Sequence, residues 1–75
     1  MPLPPHLSAR DWLDQMFTSA TARKGGIVKR QVRDVERLVG REAFAAEVRR
    51  RGFQALRNGG HFIVICNDQP IYRLK

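Results

Sequence analysis

The sequence predicts a small α+β domain: an N-terminal helix, a short strand, a helical hairpin, and then a three-stranded antiparallel C-terminal meander. Three observations predict it. Apolar residues recur at helical spacing after Ser8 and again from Val32 to Arg51, without an internal proline. After Gly52 the apolar period changes from 3.6 to 2. Asn58-Gly59-Gly60 then separates an alternating segment from an apolar one, a strong hairpin signal because Asn and Gly accept positive φ.

Residues 1–7 carry Pro2, Pro4 and Pro5 and are expected to be extended and poorly ordered. Residues 8–75 form the single domain. Ser8 is a good N-cap, and Asp11 completes a variant of the capping box. Trp12, Leu13, Met16, Phe17 and Ala20 form an apolar stripe on the helix that follows. Arg23 and Lys24 close that helix, and Gly25-Gly26 ends it. Ile27 to Gln31 reads as a short strand, since Ile27 and Val28 are β-branched and follow a glycine pair. Val32, Val35, Leu38 and Val39 then share a helical face up to a bend at Gly40. Arg41 to Arg51 is a second helix, with Phe44 and Val48 on one side. Arg49, Arg50 and Arg51 fill its last turn, where cations suit the helix dipole. Gly52 follows as the left-handed terminator.

In the hairpin two registers are open, with Asn58-Gly59 or Gly59-Gly60 at the tip. Either puts Phe53, Ala55, Phe62, Val64 and Cys66 on one face, because a shift of two preserves facing. Phe62 to Cys66 is apolar throughout, which predicts a central strand buried on both sides. Ile71 to Lys75 alternates again and is expected to be the last strand of the meander, with Tyr72 and Leu74 on the face of Val64. Leu56, Ile63, Ile65 and Ile71 would form a second apolar face, rimmed by His61, Arg73 and Lys75. The Trp12 helix is expected to cover it, within the chain or across a homodimer; otherwise the face awaits a protein partner.

Composition narrows the function. The chain of 75 residues is 43% apolar and 28% charged, a globular balance rather than a disordered one. No apolar run approaches a membrane span, and the start lacks the apolar segment of a signal peptide, so a cytoplasmic protein of bacterial style is expected. A single cysteine excludes an internal disulfide, and Cys66 reads as a small buried hydrophobe. His6 and His61 stand too far apart for a metal-site spacing, and no cofactor is expected. Fourteen Lys and Arg against seven acids give a net charge of +7, which points to a polyanionic partner, nucleic acid first. Arg33, Arg37 and Arg41 are spaced four apart and would share one helical face if the bend at Gly40 is mild. Lys29, Arg30, Arg49, Arg50, Arg57, Arg73 and Lys75 complete the set expected to meet phosphates. The expected function is that of a small basic nucleic-acid-binding accessory or regulatory protein without catalytic activity. An interaction module using the apolar sheet face or the Trp12 helix is the reading from a different class.

The helix–glycine–helix run of Val32 to Arg51 has the outline of a helix-turn-helix, with Gly40 at the turn. Glu36 stands where such a motif wants a small residue, and Arg49 where it wants an apolar one. The run RRRGFQALRNGGHFIVI resembles the core of the HicA-type messenger-RNA interferases, through Gly52, Phe53, Arg57, Gly59 and His61. That resemblance implies a double-stranded-RNA-binding-domain-like fold. It also implies a ribonuclease in which His61 is catalytic, acting near the RNA 2′-hydroxyl or the scissile phosphate; Gly60 stands where the family has serine. Residues 22–53 are similar to short bacterial proteins carrying a phosphoribosylanthranilate isomerase label. That enzyme is a (β/α)8 barrel of roughly 200 residues or more, so the label's activity does not carry over to a chain of this length.

Overall fold

The computed structural model describes residues 8–75; the proline-rich start expected to be disordered, residues 1–7, lies outside them. The described elements run α1 (Ala9–Phe17), α2 (Ala20–Arg23), β1 (Ile27–Gln31), α3 (Val32–Leu38), α4 (Arg41–Arg50), β2 (Gln54–Asn58) and β3 (His61–Ile65). The strands make one antiparallel sheet in the order β1-β3-β2, and the fold is α+β.

α1 starts as its residues dictate. Ser8 Oγ accepts from the Asp11 amide at 3.1 Å, and the Ser8 amide donates to Asp11 Oδ2 at 3.3 Å, a complete capping box. The helix does not run through to Lys24 as its stripe predicts. Thr18 Oγ1 donates back to the Asp14 carbonyl at 2.6 Å, and Ser19 Oγ accepts from the Ala22 amide at 3.3 Å. These hydroxyls compete with the backbone ladder, break the helix, and cap a new short one. The break turns Ala22 into the core and leaves Ala20 exposed.

α4 ends at Gly52, which takes φ 74°. The Phe53 amide donates to the Val48 carbonyl at 3.0 Å and the Gly52 amide to that of Arg49 at 3.1 Å, the paired bonds of a Schellman termination. In the hairpin, Asn58 pairs with His61, so Gly59-Gly60 is the tip. The positive φ falls on Gly59, the first central residue, as in a type II′ turn.

Helices lie on one side of the sheet only. The core joins Leu13, Met16 and Phe17 of α1, Val35 of α3, and Phe44 and Val48 of α4 to Val28, Val64 and Cys66 on the sheet. The Phe17 ring centroid stands 6.0 Å from that of Phe44 and 5.7 Å from that of Phe53, and Phe44 stacks on Phe62 at 5.2 Å. The predicted facing of Phe53, Phe62, Val64 and Cys66 therefore holds. Burial holds the Cys66 thiol above its ordinary pKa, as expected of a cysteine that behaves as a small hydrophobe.

A carboxylate inside this layer ties α1 to α4. Glu47 is 4% exposed, yet it accepts from Arg10 at 2.9 Å, Arg50 at 2.6 Å and Arg51, while Arg51 also reaches Asp14 at 2.8 Å. Arg51 lies over the Phe17 ring, 5.5 Å from its centroid, so the cluster also roofs the aromatic core.

Two expectations are corrected. Ile71 to Lys75 is not a strand, and Tyr72 and Leu74 are 77% and 98% exposed. A meander would need the second edge of β3, and β1 already occupies it. The chain instead turns at Asn67, whose Oδ1 accepts from the Gln69 amide at 2.9 Å, and Gln54 donates to the Asn67 and Gln69 carbonyls. The second correction concerns α1, which packs on the face of Val64 and not on that of Ile63 and Ile65. β3 is central as predicted, but its far side is not buried by the rest of the described chain. Ile27 and Leu56 remain 60% and 46% exposed there, beside half-buried Ile63 and Ile65.

Candidate nucleic-acid interface

The hairpin tip is pinned against the start of α3. β1 passes directly into α3 at Gln31-Val32, and the Val32 amide donates to the Gly60 carbonyl at 2.9 Å. This brings together residues far apart in the chain. Arg33 and Arg37 of α3, Arg57 of β2 and His61 of β3 line one open concavity, together with Glu36 and Gln31.

The guanidiniums there are steadied but not used up. Arg33 donates to Gln31 Oε1 at 3.1 Å, Arg37 to Asp34 Oδ1 at 3.2 Å, and Arg57 Nε to the Gly59 carbonyl at 3.1 Å. Each guanidinium carries five N–H donors, so most remain for an anion. Arg33 and Arg57 make no ion pair with a described residue. The four-apart arginine row is therefore partly neutralised, since Arg37 meets Asp34 and Arg41 meets Glu36 at 2.8 Å.

The basic surface continues onto α4. Arg41, Arg49 and Arg57 rim a groove of about 420 Å³ between α4 and β2, so Arg57 belongs to both depressions. Outward on α4, Glu42, Ala43 and Ala46 are exposed beside Arg49. Small residues on an exposed helix face permit close approach of a bulky surface.

The other expected contacts are not brought to this surface. Lys29 alternates with Val28 and points to the open sheet face. Arg30 lies half-buried on the helix side, donating to the Lys29 carbonyl at 2.8 Å. Arg50 is committed to Glu47. Arg73 and Lys75 belong to the exposed terminal stretch, where Arg73 Nε donates to the Lys75 carbonyl at 2.7 Å. Glu36 is the residue that sequence reasoning undervalued. Its place, one helical turn from both Arg33 and Val32, was the available signal.

The open sheet face carries Ile27, Leu56, Ile63 and Ile65 at its centre, and among the described strand residues its one ring is His61 at the hairpin end, too little for a base-stacking platform of two or three aromatics. Among the described residues no group of three or more His, Cys, Asp or Glu is placed to hold a metal ion, and no helix is long and apolar enough to cross a membrane. Comparison with protein-family models, curated proteins and solved structures finds no match for this chain.

Proposed function

We propose that this protein is a small non-catalytic nucleic-acid-binding factor of the cytoplasm that grips a duplex backbone with Arg33, Arg37, Arg41, Arg49 and Arg57. One observation carries the reading: arginines from α3, α4 and the hairpin line two adjoining depressions on one side of the molecule. A net charge of +7 adds long-range attraction. With His61 the one ring among the described strand residues of the open sheet face, a duplex is favoured over splayed single-stranded bases.

The test is fluorescence anisotropy with labelled duplex DNA, duplex RNA and single strands at two salt concentrations. Five phosphate contacts imply a log–log salt slope of about −4.5, roughly a 500-fold loss of affinity between 50 and 200 mM salt. The triple change Arg33→Gln, Arg37→Gln, Arg57→Gln should flatten the slope by about 2.7. Absence of binding at low salt would remove the proposal.

A second reading, a HicA-like ribonuclease, draws on one specific observation. His61 lines the same concavity as Arg33, Arg37, Arg57 and Glu36. A histidine beside cations that hold a phosphate is a workable acid–base arrangement. It requires RNA cleavage by the purified protein and its loss in His61→Ala with binding retained.

A further inference from the structure

The groove between α4 and β2 has a composition that phosphate binding does not use. Its floor is apolar, made by Phe44, Phe53 and Phe62, and its cationic rim is Arg41, Arg49 and Arg57. Among the described residues no carboxylate lines it. Arg41 reaches out of the groove to Glu36, whereas Arg49 and Arg57 make no ion pair with a described residue. Ala45 on α4 and Ala55 on β2 both line it, and their short side chains leave it unfilled. Its volume of about 420 Å³ lies in the range of small-molecule sites, which pair an apolar lining with a few placed polar groups.

We infer that this groove binds a small hydrophobic carboxylate, a medium-chain alkanoate, with its chain against Phe53 and Phe62 and its head between Arg49 and Arg57. Charge complementarity selects the head group, since the rim offers guanidinium donors in the fork geometry that suits a carboxylate. The rings select an aliphatic body over a planar one. Phe44 is 2% exposed and is stacked on Phe62, and Phe53 packs edge-on to Phe17, so little open ring face remains for stacking. The open sheet face on the other side of the molecule offers apolar surface without these arginines.

The experiment is a titration of the full chain with hexanoate, octanoate and decanoate, followed by calorimetry and by amide chemical shifts. Saturable one-to-one binding is expected, with Kd of about 1 mM or tighter for decanoate. Affinity should rise by up to about fourfold per added methylene. Shifts should centre on Ala45, Phe53 and Ala55. Octanol and octylammonium should bind at least tenfold more weakly than octanoate. Arg49→Gln with Arg57→Gln should reduce octanoate affinity at least tenfold, and Ala45→Phe, which fills the groove from an exposed helix position, should abolish it with the thermal midpoint retained. Ile63→Ser, on the open face, should bind octanoate as the parent does. Equal binding of octanol and octanoate would overturn the inference, as would shifts centred on Ile27, Ile63 and Ile65, or no saturation with decanoate.

Resting on the nucleic-acid reading above, shared use of Arg49 and Arg57 makes the carboxylate a competitor of phosphate. Saturating octanoate should then weaken duplex binding several-fold. If octanoate binds and the duplex is unaffected, the competition fails and the site stands. If no nucleic acid binds at all, the carboxylate titration still decides the site.

Discussion

Glu47 is the residue on which the helical layer turns. A carboxylate 4% exposed would ordinarily be pushed toward its neutral form, but the hydrogen bond from Arg50 outweighs that burial, and Arg51 and Arg10 add to it. The result is a pKa of about 2. In the unfolded chain the same carboxyl titrates near 4.3. The folded value is the lower one, so the cluster's contribution is fully present above about pH 5 and is lost as pH falls toward 2. The expected acid limb is on the order of 3 kcal/mol. Urea unfolding across pH 2–7 should show it, and Glu47→Gln should remove most of that limb. Phe17 is the apolar counterpart, 3% exposed and in contact with two other rings. Phe17→Ala should cost about 3–5 kcal/mol by chemical denaturation, a large share of what a domain this size possesses.

At the scale of elements, ends matter more than middles, because these helices are too short to persist without packing and caps. Gly52→Ala isolates one such end. An added Cβ would meet nothing within 4 Å, so the cost is that of a left-handed backbone alone. It should be about 1–2 kcal/mol, read as a lower urea midpoint with unchanged slope. The terminal stretch makes the opposite case. Ile71 to Lys75 forms no strand and Leu74 is 98% exposed. A chain ending at Pro70 keeps the carbonyls that Gln54 binds, and its stability should match the parent within about 0.5 kcal/mol. A larger loss would mean that the stretch packs in solution.

For the whole molecule, the consequence of the order β1-β3-β2 is a two-layer body with one helix-covered face and one bare face. Placing β1 against β3 also carries the start of α3 to the hairpin tip, and the basic concavity exists only because of that pairing. The same arrangement sends Lys29 to the opposite face from Val28. The arginines proposed to meet phosphate are therefore a subset chosen by topology, not the full basic complement of the chain.

Much of this was legible residue by residue. The capping box at Ser8, the strand at Ile27, the bend at Gly40, the stop at Gly52 and the hairpin at Gly59-Gly60 each rest on local backbone preferences or on hydrogen bonds between near neighbours. Periodicity likewise assigned Phe62 and Val64 to the core face, because alternation needs no knowledge of the partner strand. Three things were beyond its reach. Which strand takes the second edge of β3 depends on a long-range competition that Ile27–Gln31 wins over Ile71–Lys75, and both segments read locally as strands. Which sheet face α1 covers depends on the fit of Phe17 among Phe44 and Phe53, three rings from three segments. Which arginines gather into one concavity depends on the hairpin tip meeting α3, which brings Arg57 to Arg33 and Arg37; the acids that pair with Arg37, Arg41 and Arg50 stand only three to five residues away. Local sequence determines elements because their energetics are local; strand pairing, face coverage and the gathering of arginines from separate elements belong to contacts between distant residues, and only the folded chain decides those.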